Sequence, residues 1–399
     1  MAAKDPARRA RPRGGDLRGA IALARDATAG ITDVVEAMHR QIAHPLSRPA
    51  SDDRPARAGG IAGLVYHGVR GVTRLVGAGA DALLAATSAA LPETAAPVSP
   101  EREALLAALN GVLGDRLAER ANPLAIAMSL RSRGRVLRLG PSSLAAALPR
   151  VGPRLLVLAH GLCMNDLQWR RDGHDHGAAL ARDLGMTPVY LHYNSGLPIA
   201  ANGRLFATLL DALVRHWPVE LRELSLPTHS MGGLVARRAV QAAARARLGW
   251  VERLDRLVFL GTPHQGAPLE RGGHGIDLLL GTSRFSAPLA RLGRVRSAGI
   301  TDLRHGIDGR LPLPGATACY ALAARTGSRT DALHSHLIGD GLVPVASALG
   351  EHRDARRALL FAPGRRAIFA GLNHLQLLDD PRVYAQLRAW FTEAPPARS

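Results

Sequence analysis

The chain has 399 residues, 47% of them hydrophobic, with 42 glycines and 26 prolines, which excludes fibrous and low-complexity classes. Its length allows about two to three domains, or one elaborated α/β domain filling most of the chain. The net charge is +18 and Lys4 is the only lysine, so the excess is arginine and attracts anions; aromatic residues at 4% are too few for a platform that stacks single-stranded bases, and no specific nucleic-acid partner is expected.

Residues 1–15 form a basic tail expected to be disordered. The apolar stretch behind it is cut by Arg25 and Asp26, too soon for a signal-peptide core. A weakly polar run from Leu75 to Leu91 contains Asp81 and falls short of the roughly 20 apolar residues of a membrane span. A cytoplasmic protein is the expectation. Residues 16–120 are read as a helical extension: apolar residues recur at helical spacing over 17–43 and again over 61–91, and Ser99-Pro100-Glu101 supplies an N-cap, a first-turn proline and a first-turn acid for a helix running through Leu117. Packing of these helices on the rest of the chain is the plain reading; an interfacial segment touching an anionic membrane is the sharper one.

From 121 to 395 short apolar runs alternate with helical patterns, which predicts an α/β domain with a mostly parallel central sheet and helices on both faces. The expected strands are 135–139, 154–159, 188–193, 223–226, 256–260, 317–323 and 366–369. Helices are expected over 178–184, 205–217, 231–247 and 381–391. Residues 266–311 carry apolar side chains among arginines without a strand pattern, and are read as a helical cap or lid that suits an acyl chain.

The run from Leu224 to Gly233 puts Ser230 between an apolar strand and an Ala-rich helix, with Gly232 two residues on. A serine in such a tight strand-to-helix turn projects its hydroxyl, and the helix start behind it offers backbone N–H groups and a positive dipole end, with Met231 as donor. Upstream, the apolar strand ending in His160-Gly161-Leu162 places a second N–H, that of Leu162, where an oxyanion would need it. Downstream, Asp340 lies in a Gly-flanked turn and His374 follows the last expected strand. Serine, acid and histidine therefore occur in the chain order that a doubly wound hydrolase sheet uses. Asp331 is the reserve acid. Asp172, His174, Asp175 and His176 cluster, but ahead of an Ala-rich helix they read as capping and solvent-facing groups, so no metal is expected. Cys163 and Cys319 form no paired metal spacing, and Cys163 reads as a small buried residue.

Together with the segment Phe259-Leu260-Gly261-Thr262-Pro263-His264-Gln265-Gly266, these motifs make residues from about 125 to 391 resemble an α/β-hydrolase of the bacterial lipase and esterase type, similar also to the catalytic domain of GPI inositol-deacylase-like proteins. The resemblance implies an α/β-hydrolase fold and a cofactor-free serine carboxylic-ester hydrolase acting on small-molecule or lipid-like, apolar esters. Ser230, Asp340 and His374 would be its triad, Leu162 and Met231 its oxyanion hole. His160, Gly161, His229 and His264 would shape the substrate site, His229 by packing beside the serine. The competing expectation is a non-catalytic or acyltransferase-type homologue that binds an anionic membrane or polymer through its basic surface and N-terminal helices. Thr228 replaces the first glycine of Gly-x-Ser-x-Gly and is expected to crowd the strand–helix crossing, while Pro227 cannot donate to a ladder.

Overall fold

Eight strands form one sheet in the order β2-β1-β4-β3-β5-β6-β7-β8. The structure, a computed structural model, describes residues 99–267, 297–306, 313–315, 317–327 and 339–393, with residues 19 and 22. The basic tail, the helices expected over 17–43 (residues 19 and 22 apart) and 61–91, residues 268–296 and 307–311 of the expected cap, and Asp331 lie outside the described residues. The chain divides into two compact units, residues 1–97 with 119–124, and residues 98–118 with 125–399. In the first, Asn122 Nδ2 donates to the Gly19 carbonyl at 3.1 Å. Everything below concerns the second.

β1 (Ser129–Ser132) and β2 (Arg135–Val136) form an antiparallel hairpin at one edge, and β1 runs antiparallel to β4 (Thr187–His192). The ladders joining β4, β3 (Arg154–Ala159), β5 (Glu223–His229), β6 (Leu254–Leu260), β7 (Ala318–Arg325) and β8 (Arg366–Ala370) are all parallel. Central strands such as Leu155–Ala159 are buried on both faces, which is why they read as unbroken apolar runs. Alternate residues serve opposite cores. Leu155, Val157 and Ala159 join the cluster that takes Phe206, Leu210 and Leu213 from α4 (Ile199–Arg215) and Leu234, Val235 and Ala239 from α5 (Met231–Ala246). Leu156 and Leu158 join the other, with Leu180 of α3 (His176–Leu184) and Val383, Leu387 and Trp390 of α7 (Pro381–Thr392).

Sequence and structure part company at three places. The β1–β2 hairpin occupies the start of the expected 135–139 strand, and α2 (Pro141–Ala147) follows it. β5 continues through Pro227 to His229; the β3–β5 pairing is interrupted between Leu156↔Ser225 and Ala159↔Thr228, where proline has no N–H to give, while Pro227 stays in register with Val258 of β6. α4 begins at Ile199 rather than 205, because Asn202 spends its side chain on the Asn194 carbonyl, at 2.9 Å, instead of breaking the helix. α1 (Pro100–Glu119), the last helix of the expected extension, belongs up to residue 118 to the same compact unit as the sheet.

At the amino ends of the strands a buried ion network ties the sheet to the end of α7. Glu223 receives Arg154 Nε at 2.6 Å and Arg256 Nη1 at 2.5 Å. Arg256, wholly buried, also donates to the carbonyls of Trp390, at 3.2 Å, and Glu393. Arg154 reaches the Phe391 carbonyl at 3.1 Å. A charge this deep is tolerable because its donors are taken up.

Candidate active site

At the opposite, carboxyl ends of the strands, β5 turns sharply into α5 at Ser230. Its backbone has φ 53° and ψ −126°, a region that side-chain-bearing residues rarely occupy. Two features hold it there. The Ser230 N–H donates to the Leu260 carbonyl at the end of β6, at 2.9 Å. Behind it Gly232 lies so close to the carbonyl oxygens of Ala159 and His160 that no Cβ would fit. Ser230 occupies the N-cap position of α5, yet its hydroxyl makes no capping bond. The side chain is therefore presented instead of being spent on the helix.

Thr228 does not crowd the crossing as expected. It is fully buried, and its hydroxyl donates to the Val258 carbonyl of β6 at 2.8 Å, so the extra side chain is absorbed into the neighbouring strand.

Asp340 and His374 come from two turns that follow β7 and β8. His374 Nδ1 donates to Asp340 Oδ2 at 2.6 Å, and the His374 N–H donates to the Asp340 carbonyl at 3.1 Å. Asp340 Oδ1 accepts the N–H groups of Leu342 and Val343 at 3.0 and 2.8 Å, so both carboxylate oxygens are fixed. Asp340 and His374 are only 1% and 2% exposed, which makes the pairing a buried one. With Nδ1 committed to the carboxylate, Nε2 is the acceptor of the neutral ring. It is buried and has no hydrogen-bond partner. The Ser230 N–H binds the Leu260 carbonyl, the His374 ring lies against the next residue, Gly261, and the rings of His229 and His374 are 4.6 Å apart. No direct Ser230–His374 hydrogen bond is formed.

The loop 160–164 leaves β3 beside this turn. Gly161 packs directly on the Ser230 Cβ. Among the described residues neither the Leu162 N–H nor the Met231 N–H has an acceptor, and Met231 is the first residue of a 16-residue helix, at its positive end.

The neighbouring histidines serve the scaffold. His160, expected to shape the substrate site, is wholly buried: Nδ1 is bound to the Gly161 carbonyl at 2.9 Å, Nε2 accepts the Tyr193 N–H at 3.4 Å, and the ring stacks on Tyr193 at 4.4 Å. Burial lowers its pKa to about 4. That is a correction, since no ring nitrogen remains for a ligand. His229 packs as expected, its Nε2 on the His374 carbonyl at 3.2 Å, and burial holds its pKa well below the ordinary value. His264 is turned to Arg237 of α5, at 3.3 Å, and to the Phe259 ring at 4.6 Å, rather than to Ser230.

In the cluster around His174 only Asp175 caps the helix as expected, whereas His176, expected to face solvent, is buried. Asp175 accepts the Ala178 N–H at 2.8 Å as N-cap of α3, His174 and His176 are bonded to each other at 2.8 Å, and His176 Nε2 donates to the Leu377 carbonyl at 3.0 Å. Among the described residues no group of three or more His, Cys, Asp or Glu side chains is arranged to hold a metal ion. No described helix is long and apolar enough to cross a membrane. Burial pushes the Cys163 thiol up to about 12, which leaves it no thiolate character.

Strand order, parallel ladders and the elbow after β5 together are the α/β-hydrolase fold. Several solved structures are similar to the chain. A Bacillus licheniformis lipase, BlEst2 in mature form, is 17% identical over 62% of this chain and 96% of that one, with a TM-score of 0.43. The RedJ thioesterase of the prodiginine pathway in Streptomyces coelicolor is 17% identical over 63% and 100%, TM-score 0.36. Lipase B of Aspergillus fumigatus is 13% identical over 66% and 60%, TM-score 0.38. No family model and no curated protein matches the chain.

What the sequence missed is support around the loop. Ser195, in an Asn-Ser-Gly turn after β4, accepts the Cys163 N–H at 3.0 Å. Such a tripeptide signals a turn and nothing more.

Proposed function

We propose that the protein is a serine ester hydrolase that works through an acyl-enzyme on uncharged, apolar acyl esters. The observation that carries this reading is the buried His374–Asp340 pair, whose one unpartnered ring nitrogen belongs to a ring packed against His229 and Gly261, the chain neighbours of a serine held in a strained turn and of the carbonyl that serine binds. In the proposed cycle His374 Nε2 takes the Ser230 proton as the hydroxyl oxygen attacks the ester carbonyl. The N–H groups of Leu162 and Met231 bind the oxyanion that develops. Collapse expels the alcohol, which receives the proton from His374; water then attacks the acyl-serine by the same steps and releases the acid. Asp340 fixes the tautomer through its bond to Nδ1 and stabilises the imidazolium.

Gly161 packs on both the Ser230 Cβ and Met164 Sδ, and Met164, Leu162 and Met231, the last two being chain neighbours of Gly161 and Ser230, are buried apolar residues, which favours an acyl chain over a charged substrate. Hydrolysis of p-nitrophenyl butyrate by the full chain tests the reading. Ser230→Ala is expected to lower kcat by about 10⁴-fold or more. Unchanged turnover in that variant contradicts it.

A further inference from the structure

The residue after the expected oxyanion donor is itself in an unusual conformation. Cys163 has φ 59°, the left-handed region that a residue with a side chain enters only when its surroundings enforce it. Two contacts enforce it here. Its N–H donates to Ser195 Oγ at 3.0 Å, and Ser195 is 1% exposed, so the hydroxyl has no competing water. Its Sγ sits against Gly111 of α1, so closely that any side chain at 111 would displace it.

Ser195 is in turn well anchored. Asn194 Nδ2 donates to the Gly114 carbonyl of α1 at 2.8 Å, and Asn194 Oδ1 accepts the Gly196 N–H at 3.0 Å. The Gly196 carbonyl accepts the Gly299 N–H of α6 (Ala298–His305) at 3.0 Å. From the same segment Ser297 Oγ donates to the Gly111 carbonyl at 2.6 Å, and the Ala298 N–H to Asp115 at 2.9 Å. α1, the turn after β4 and the start of α6 are thus one hydrogen-bonded wall, and the loop of Gly161 to Met164 leans on it.

We infer that Ser195 is a positioning residue for the oxyanion site, fixing the peptide between Leu162 and Cys163 so that the preceding peptide keeps its N–H, that of Leu162, unpaired and turned toward Ser230. The inference rests on the proposed acyl-enzyme reading and deepens it. A peptide plane fixed at its own N–H and at the Cα behind it leaves its neighbour little freedom to rotate. Remove the Ser195 acceptor, and Cys163 can relax to a negative φ, carrying the Leu162 N–H away from the place where charge develops. α1, a helix that precedes the sheet in sequence, then acts on the site without touching substrate.

Ser195→Ala and the nearly isosteric Ser195→Cys, a weaker acceptor, are compared with the parent on p-nitrophenyl butyrate and with a butyl trifluoromethyl ketone, whose hemiketal oxyanion occupies the oxyanion site. The expected result is a kcat about 10- to 10²-fold lower in Ser195→Ala and a smaller loss in Ser195→Cys, with KM within about twofold of the parent and ketone affinity falling by the same factor as kcat. Should Ser195→Ala fail to fold, Ser195→Cys carries the test. Parent-like kcat in the folded variants, or a kcat loss without a matching loss of ketone affinity, overturns the inference. Full activity in Ser195→Ala beside an inactive Ser230→Ala overturns this inference alone, whereas an active Ser230→Ala overturns the reading beneath it.

Discussion

The two ends of the sheet treat buried polar groups in opposite ways. At the amino ends, Arg154, Glu223 and Arg256 are joined to one another and to three carbonyls of the last helix. At the carboxyl ends, His374 Nε2, His229 Nδ1 and Thr262 Oγ1 are buried with no hydrogen-bond partner, and Ser230 and Cys163 are held at positive φ. A buried polar atom without a partner lowers stability by about 1–3 kcal/mol. The contrast teaches that the two ends divide their roles: one is satisfied and ties the sheet to the last helix, while the other holds strain and unpartnered polar atoms, where the proposed chemistry would take place.

If that division is right, substitutions at the two ends should have separable consequences. Asp340→Asn should break the comparison most severely at the reactive end, lowering kcat on p-nitrophenyl butyrate by about 10⁴-fold; a melting temperature close to the parent's would show that the damage is chemical. Arg256→Met should act at the satisfied end, leaving Glu223 buried with a partner missing and destabilising the fold by about 3–5 kcal/mol in urea unfolding. The kcat of the remaining folded protein should be unchanged, and a kcat loss larger than tenfold would mean that the ends are coupled.

Acid should sharpen the comparison by weakening the reactive end. Burial lowers the pKa values of His160 and His176 to about 4, against about 6.5 for an unfolded histidine. Both are neutral in the fold but take up protons on unfolding, so their contribution is fully present above pH 6.5. It is lost as pH falls toward 4, on the order of 3 kcal/mol for each. Urea midpoints between pH 7 and 4.5 should fall accordingly, and His176→Asn should make that fall shallower. The smallest effect should come from Thr228→Val, which keeps the shape but loses the bond to the Val258 carbonyl. About 1 kcal/mol of stability and little activity are expected to go, as read by thermal unfolding and kcat.

How legible each end was in the sequence follows from the same physics. The carboxyl-end residues are local signals: Ser230 with Gly232 after an apolar strand, Asp340 between glycines, His374 after the last strand. Each stands at a strand end because chemistry needs side chains where the backbone leaves the sheet, and chain order alone suggested that they converge. The amino-end network left no such trace. Arg154, Glu223 and Arg256 are charges in three separate strands, and only the parallel register, which pairs Arg154 with Glu223 and Ser225 with Arg256, brings them together. Ser195 and Gly111 were invisible for the same reason, since their role is a contact between segments far apart in the chain. Pro227 misled the strand boundary because a proline in a parallel strand removes one ladder bond without ending the strand.

The most direct test of the central claim is covalent labelling of the full-length protein with an alkyl fluorophosphonate, read by intact mass and peptide mapping. One phosphonyl group per chain, located on Ser230 and strongly reduced in His374→Ala, is the predicted result. An unlabelled protein, an adduct on another residue, or labelling of Ser230 that proceeds equally well without the imidazole would contradict it.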